Sequence, residues 1–294
     1  METATHITEF DSFTRYLSAK KTVDDRALNK HVWEAMAAAL PAATAAKPLR
    51  VLEIGAGIGT MVERLAAQNV LTHAHYTAVD TDPANIAAAR QRLGTLPASI
   101  HLELVTADAF AFAANAHSTR TWDLLIAHAF LDLVDIPAAL PQLLPLLAPG
   151  GAYYFTINFD GNTILQPTID APFDKHIEAL YHRTMDERLT NGKPSGDSQT
   201  GRHMFHQLRA AGASILAAGS SDWVVFATAN GYPADEAYFL HFIVNTMYGA
   251  LNGHPELDQE RFSRWIAQRH AQIERGELVY IAHQLDFYGR FPTP

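Results

Sequence analysis

The chain contains no cysteine. Disulfides and thiolate metal sites are thereby excluded. Basic residues are in deficit: 22 Lys and Arg stand against 31 Asp and Glu, a formal charge of −9. An acidic surface repels phosphate backbones, and no Lys/Arg-rich stripe interrupts it, so no nucleic-acid partner is expected. Long apolar runs are missing too. Tyr238 to Val244 is interrupted by His241 and is far shorter than the ~20 residues of a membrane-spanning helix. Met1 to Phe10 is polar and carries Glu2 and Glu9, unlike a signal peptide with its basic start and apolar stretch. These absences predict a cytoplasmic protein with no membrane contact. No internal repeat or low-complexity segment occurs.

What remains is ordinary for a folded protein. The 294 residues are 48% apolar and 18% charged, enough to bury a core in one large domain or one domain plus a cap. Residues 8 to 46 read as helices. Thr22, Asp24 and Asp25 are N-cap candidates for a helix beginning near Arg26, with Leu28, Val32, Met36 and Leu40 on one face. From Leu49 the pattern changes. Strands are expected at 49–54, 76–79, 100–105, 122–127 and 152–157, with helices at 60–68, 83–93 and 138–147 between them. Pro149-Gly150-Gly151 reads as a turn. Such alternation means right-handed crossovers and a mostly parallel sheet. Its ligand sits beyond the carboxyl ends of the strands.

After Asn158 the rhythm breaks. Asn191 to Gly196 is a loop by composition. Helices are expected near 173–189, 200–211, 234–251 and 258–275, and strands at 214–217, 223–226 and 278–287. We therefore expect an N-terminal helical segment over 1–48 and a sheet domain over 49–294. Cap insertions near 158–200 and 230–276 decorate that domain.

The strongest motif is Glu53-Ile54-Gly55-Ala56-Gly57-Ile58-Gly59. A glycine-rich turn between strand and helix lets a ligand approach bare backbone, with amides available to a polar group. The dinucleotide fingerprint places its third glycine one residue later, where this chain has Thr60. Glu53 also stands where a nicotinamide-binding turn is usually apolar. Asp80 ends the second strand, where a carboxylate accepts ribose hydroxyls. Asp108 follows the third strand.

Glu53 to Gly59, Asp80, Ala107-Asp108-Ala109 and Pro149-Gly150-Gly151 together resemble the ordered motifs of class I methyltransferases dependent on S-adenosylmethionine (SAM). The resemblance spans roughly residues 49 to 157. It implies a Rossmann-like, seven-stranded, mostly parallel sheet whose last strand is antiparallel. It also implies methyl transfer from SAM, leaving S-adenosylhomocysteine (SAH). Residue by residue, it sets Gly55, Ala56 and Gly57 against the methionine part of SAM, with Glu53 holding the turn or reaching the amino group through water. Asp80 would take the ribose diol and Thr81 the adenine edge. Asp108 would take the adenine amine, Ala109 would offer a backbone amide, and His128 would sit nearest the methyl group. Ala127-His128-Ala129-Phe130 departs from the Asn/Asp-Pro-Pro-aromatic run of nucleobase methyltransferases, so the acceptor atom stays open.

Other candidates follow. His128 is the first choice for a general base, with cofactor packing as the bland alternative. Asp160 would orient the acceptor or simply form a turn before Gly161. Arg26 would pair with the SAM carboxylate or stabilise a helix start. Thr200-Gly201-Arg202 suits an anion or a helix cap. The pairs His176/His182 and His203/His206 invite a metal, but 15 histidines make such pairs common, and no metal is expected. Tyr238, Phe239, Phe242, Met247 and Tyr248 suit core, pocket wall or the face of a homodimer. A small-molecule acceptor is the leading expectation. Alternatives are a non-catalytic SAM-binding protein and a protein methyltransferase.

Overall fold

The computed structural model describes residues 8–116 and 120–292; most of the Met1 to Phe10 stretch lies outside them. In chain order the elements begin with α1 (Phe13–Ala27), α2 (Lys30–Ala39), β1 (Leu49–Ile54), α3 (Thr60–Ala67), β2 (Ala74–Asp80) and α4 (Pro83–Arg92). There follow β3 (Ile100–Thr106), α5 (Ala109–Ala116), β4 (Trp122–His128), α6 (Ile136–Leu143) and β5 (Leu147–Gln166). Next come α7 (Ala171–Asp186), β6 (Leu189–Thr190), β7 (Lys193–Pro194), α8 (Thr200–Ala210), β8 (Ser214–Ser220) and β9 (Trp223–Val225). The chain closes with α9 (Glu236–Leu251), α10 (Gln259–Glu274) and β10 (Val279–Arg290).

The chain divides into two compact units. One, the sheet unit, comprises residues 28–160, 199–221 and 284–294. Its strands follow the order β3-β2-β1-β4-β5-β10-β8. β1 is parallel to β2 and β4, β2 to β3, and β4 to β5. β10 runs antiparallel to β8. The seven expected strands are thus present in a Rossmann-like order. β1 and β4 are buried almost throughout, as expected of strands covered on both faces. One face packs Leu52, Leu125, Phe155 and Phe287 against α5, α6 and α8. The other packs Val51, Ile126, Tyr154 and Tyr288 against α2, α3 and α4.

Asn29 joins the first helix of this unit to its last strand. Its side chain caps α2 by accepting from the Val32 amide at 3.1 Å and donates to the Ser220 carbonyl at 2.8 Å. Its own N–H donates to Asp286 at 2.8 Å. The expected helix start near Arg26 is therefore corrected. Thr22, Asp24 and Asp25 lie inside α1, and the cap is Asn29.

The other, the helical unit, comprises residues 1–27, 161–198 and 222–283. The reason Asp24 is no cap lies here. It is buried, with Lys20 at 2.7 Å and the Trp223 indole N–H at 2.8 Å. A paired, hydrogen-bonded carboxylate suits a buried helix interior. β9, at the strand expected over 223–226, pairs antiparallel with residues 280–282 and is an eighth strand beside the seven that the resemblance implies. The expected loop at 191–196 begins as a hairpin turn: β6 and β7 pair around Asn191-Gly192, both at positive φ. Tyr238, Phe239 and Met247 are buried. Tyr16 stacks on Phe242 with centroids 4.1 Å apart. These aromatics are therefore used within the unit rather than shown as a bare face. Among the described residues no helix is long and apolar enough to cross a membrane.

Candidate active site

The glycine-rich turn leaves β1 and enters α3 inside the sheet unit. Gly55 has φ +67°, and a Cβ there would lie 2.6 Å from the Phe130 ring. A side chain is therefore excluded twice, by conformation and by space. Among the described residues no side chain caps the start of α3; within the turn the Ala56 and Gly59 amides donate to the Val79 and Ala56 carbonyls.

Asp80, at the end of β2, is tied to that turn. Its Oδ2 accepts the Gly57 N–H at 2.8 Å. Its Oδ1 accepts the Asp82 N–H at 2.9 Å and the Asn85 side-chain amide at 3.1 Å. Three donors fix the carboxylate in rotation. A carboxylate offers about four lone-pair positions, which leaves room for a ligand hydroxyl. Asp82 caps α4 through the Ala84 amide at 2.8 Å, and Thr81 is exposed between the two acids.

Asp108 stands beyond β3 and is exposed. Its Oδ1 accepts the Phe110 and Ala111 amides at 3.0 and 2.9 Å, capping α5. Ala109 begins that helix and is buried. The Ala107 N–H donates to the Asp80 carbonyl at 3.0 Å, so the β2 and β3 ends are stitched together.

Glu53 lies beneath the turn and is 1% exposed. The Tyr76 hydroxyl donates to it at 2.8 Å. Burial pushes its carboxyl up to about 8, against the opposing pull of Tyr76 and Arg64. At neutral pH it is mostly a protonated acid. The same burial, with Glu53 alongside, raises Tyr76 well above a free phenol.

His128 ends β4, is buried, and has Nδ1 at 2.8 Å from the Thr156 hydroxyl on the neighbouring strand. Two non-glycine residues adopt left-handed backbone here: Ala129 (φ 51°) directly after His128, and Ile157 (φ 57°) directly after Thr156. For β-branched Ile157 this conformation is costly. It is held by Asp286, which accepts the Ile157 N–H at 2.8 Å. Asn158 donates to the Leu285 carbonyl at 2.8 Å.

Asp160 and the Thr200-Gly201-Arg202 segment form a single contact. Asp160 Oδ1 accepts both the Arg202 N–H and its Nε, each at 2.8 Å. The anion at the start of α8 is thus the protein's own carboxylate. Arg26 belongs to the helical unit, where Glu236 receives it at 2.5 and 2.8 Å and Thr22 adds a bond at 2.7 Å. Glu236 holds the guanidinium pKa above its ordinary value. His182 bonds Thr163 at 3.0 Å, and His176 lies 3.1 Å from the Glu256 carbonyl. Among the described residues no three His, Asp or Glu side chains converge on a metal position.

The structure therefore gathers Glu53, Gly55 to Gly57, Asp80, Asp108, Ala109 and His128 at the carboxyl ends of β1 to β4. Sequence reasoning missed Tyr76, Asn85, Phe130 and Thr156. Thr156 was the most accessible of these, because β4 and β5 in register set it directly beside His128. The turn and its carboxylates fit an adenosyl amino acid: a glycine-rich cradle, a fixed carboxylate for a diol, and a second carboxylate one strand away.

Residues 52–153 match the family described as a methyltransferase domain. No curated protein sequence matches the chain. A Bacillus halodurans C-125 protein described as a candidate methyltransferase shares the fold. Its TM-score is 0.51 at 13% identity, covering 90% of this chain and 99% of its own. A chain from the complex of a Haloferax volcanii candidate methyltransferase with the Trm112 activator gives 0.48 at 14% identity, covering 97% and 98%. The cyclopropane synthase MmaA2 of Mycobacterium tuberculosis gives 0.45 at 11%, covering 94% and 98%.

Proposed function

We propose that this chain is a class I SAM-dependent methyltransferase that transfers a methyl group from its cofactor SAM to a small-molecule acceptor by in-line displacement, releasing SAH; the methyltransferase-domain match over residues 52–153 supports the reading. The observation that carries the reading is the Gly57 amide held by the Asp80 carboxylate, which fixes glycine turn and diol acceptor as one piece.

When bound, SAM supplies a methyl group already activated by its sulfonium. The chain's own residues bind, align and exclude water, and alignment alone is worth roughly 7–11 kcal/mol in well-oriented reactions. In this reading Gly55, Ala56 and Gly57 lie along the methionine end. Asp80 accepts a ribose hydroxyl, Thr81 borders the adenine, and Asp108 with the Ala109 amide reads it. Glu53, mostly protonated, supports the turn from below. In this reading the His128 imidazole, which shares a hydrogen bond with the Thr156 hydroxyl, takes the acceptor proton where one must leave. Asp160 anchors Arg202, whose half-exposed guanidinium is the group that meets the acceptor.

A small acceptor is favoured over nucleic acid by the acidic chain. Calorimetry with SAM and SAH tests the cofactor reading. We expect micromolar binding, weakened roughly 10- to 100-fold in Asp80→Ala, since hydrogen bonds to a charged group contribute about 1.5–3 kcal/mol each. SAH release from SAM, screened over metabolite fractions and over protein fractions, then tests the acceptor. Turnover with protein fractions alone would overturn the small-molecule reading.

A further inference from the structure

Asp80 has three donors, and they are of two kinds. The Gly57 and Asp82 amides belong to backbone that the turn and the α4 cap already fix. The third, the Asn85 amide, is a side chain reaching back five residues from the first turn of α4.

Asn85 is poorly explained by α4 itself. The helix is capped by Asp82. Asn is an indifferent helix residue, because its amide competes for backbone hydrogen bonds. Its side chain is 2% exposed. Its Oδ1 is buried and has no hydrogen-bond partner among the described residues, at a cost of about 1–3 kcal/mol for such a group. The amide cannot be turned over to relieve this. Only its NH₂ end can face a carboxylate, since a carboxylate accepts and does not donate. Its one hydrogen bond therefore goes to Asp80.

That bond has a mechanical consequence. Oδ1 of Asp80 is held from two directions, by Asp82 and Asn85, while Oδ2 is held by Gly57 alone. The carboxylate cannot swing about its last torsion without losing a donor on Oδ1. The acceptor position left over is on Oδ2, on the side of the glycine turn. We infer that Asn85 is a positioning residue: it fixes the Asp80 carboxylate so that the site distinguishes a ribose diol from a deoxyribose. The inference rests on the cofactor assignment and on Asp80 as diol acceptor.

The experiment is calorimetric binding of SAH and of its 2′-deoxy and 3′-deoxy analogues to wild type, Asn85→Leu, Asn85→Ala and Asp80→Ala. Leu keeps the volume and removes the amide; Ala serves as well if Leu disturbs folding. The wild type is expected to prefer SAH over a deoxy analogue by about tenfold or more, the scale of one hydrogen bond to a charged acceptor. In Asn85→Leu, SAH binding falls about tenfold and the preference shrinks to about twofold, while deoxy binding changes little. Asp80→Ala loses the preference altogether. A helix or packing role alone would lower the melting temperature and weaken all three ligands equally. An unchanged preference in both Asn85 variants therefore overturns the inference. Asp80→Ala binding SAH like the wild type would instead overturn the diol reading, and wild type binding no SAH would overturn the cofactor assignment; the inference falls with either.

Discussion

At the residue scale, Glu53 is the acid of the candidate site whose carboxyl stands far from its ordinary state. In the unfolded chain its carboxyl ionises near 4.5; in the native chain it does so near 8. Between those values the folded state holds a proton that the unfolded state has released. Unfolding then releases a proton, so this residue lowers stability as pH rises from 4.5 to 8 and adds nothing further above. The full effect is on the order of 4 kcal/mol. Gln keeps an acceptor for the Tyr76 hydroxyl and cannot ionise. Urea midpoints at pH 5, 7 and 9 should show Glu53→Gln losing less stability toward alkaline pH than the wild type, with the two nearly equal at pH 5. Parallel curves would mean that Glu53 is ionised throughout.

At the element scale, the seat of α8 offers a sharp test of what Asp160 does. A Cβ on Gly201 would lie 2.8 Å from Asp160 Cβ and 3.0 Å from the Asn158 carbonyl. Gly201→Ala must push the helix start away from Asp160, at about 1–3 kcal/mol by the scale of overpacking. Asp160→Ala removes the acceptor of two Arg202 bonds and should cost about 2 kcal/mol. Both variants should lose amide-exchange protection in the first turn of α8. Full retention there in Asp160→Ala would free Asp160 for a purely chemical role. This seat also shows where sequence reading stops. Asp160 and Thr200-Gly201-Arg202 each stood out, one as an acid beyond a strand and one as an anion-binding helix start. That they satisfy each other across 40 residues is a tertiary fact no local pattern carries. The parallel strands were legible because burial on both faces leaves continuous apolar runs. α5 was not: Ala-Phe-Ala-Phe alternates with period two, and the helix is seated by its alanines Ala109, Ala113 and Ala116. Pro149-Gly150-Gly151 lies inside the long β5, where a register shift against β4 absorbs it. The cofactor turn was legible residue by residue, since Gly55 answers a local demand of backbone and space. Tyr76, Asn85 and Thr156 were not, because each matters only through the carboxyl or imidazole it faces.

At the scale of the whole molecule, neither unit is one continuous stretch of chain. The backbone passes between them at 27/28, 160/161, 198/199, 221/222 and 283/284. Each unit therefore closes long loops before its core forms, a topology that slows folding. The units also respond to acid differently. In the helical unit His241 and His270 are buried, with their Nδ1 atoms 2.7 Å apart, and Phe10 stacks on His241 with centroids 4.1 Å apart. That bond needs one ring to donate and the other to accept, so the two rings cannot both be protonated. Burial pushes each down to about 4, and for His241 the neighbouring ring adds to it. From pH 6.5 to 4 the unfolded chain takes up protons that the native pair refuses, so stability falls with pH across that window, by on the order of a few kcal/mol. The sign is opposite to that of Glu53 over the overlapping range, which separates the two. The double variant His241→Phe, His270→Leu retains an aromatic ring under Phe10 and removes both titrations. Urea midpoints from pH 7 to 5 should fall more steeply in the wild type than in this variant. Amide exchange at pH 5 should open α9 and α10 of the wild type before the strands of the sheet unit. Equal slopes, or sheet-unit strands opening first, would remove the histidine pair as the acid-labile point.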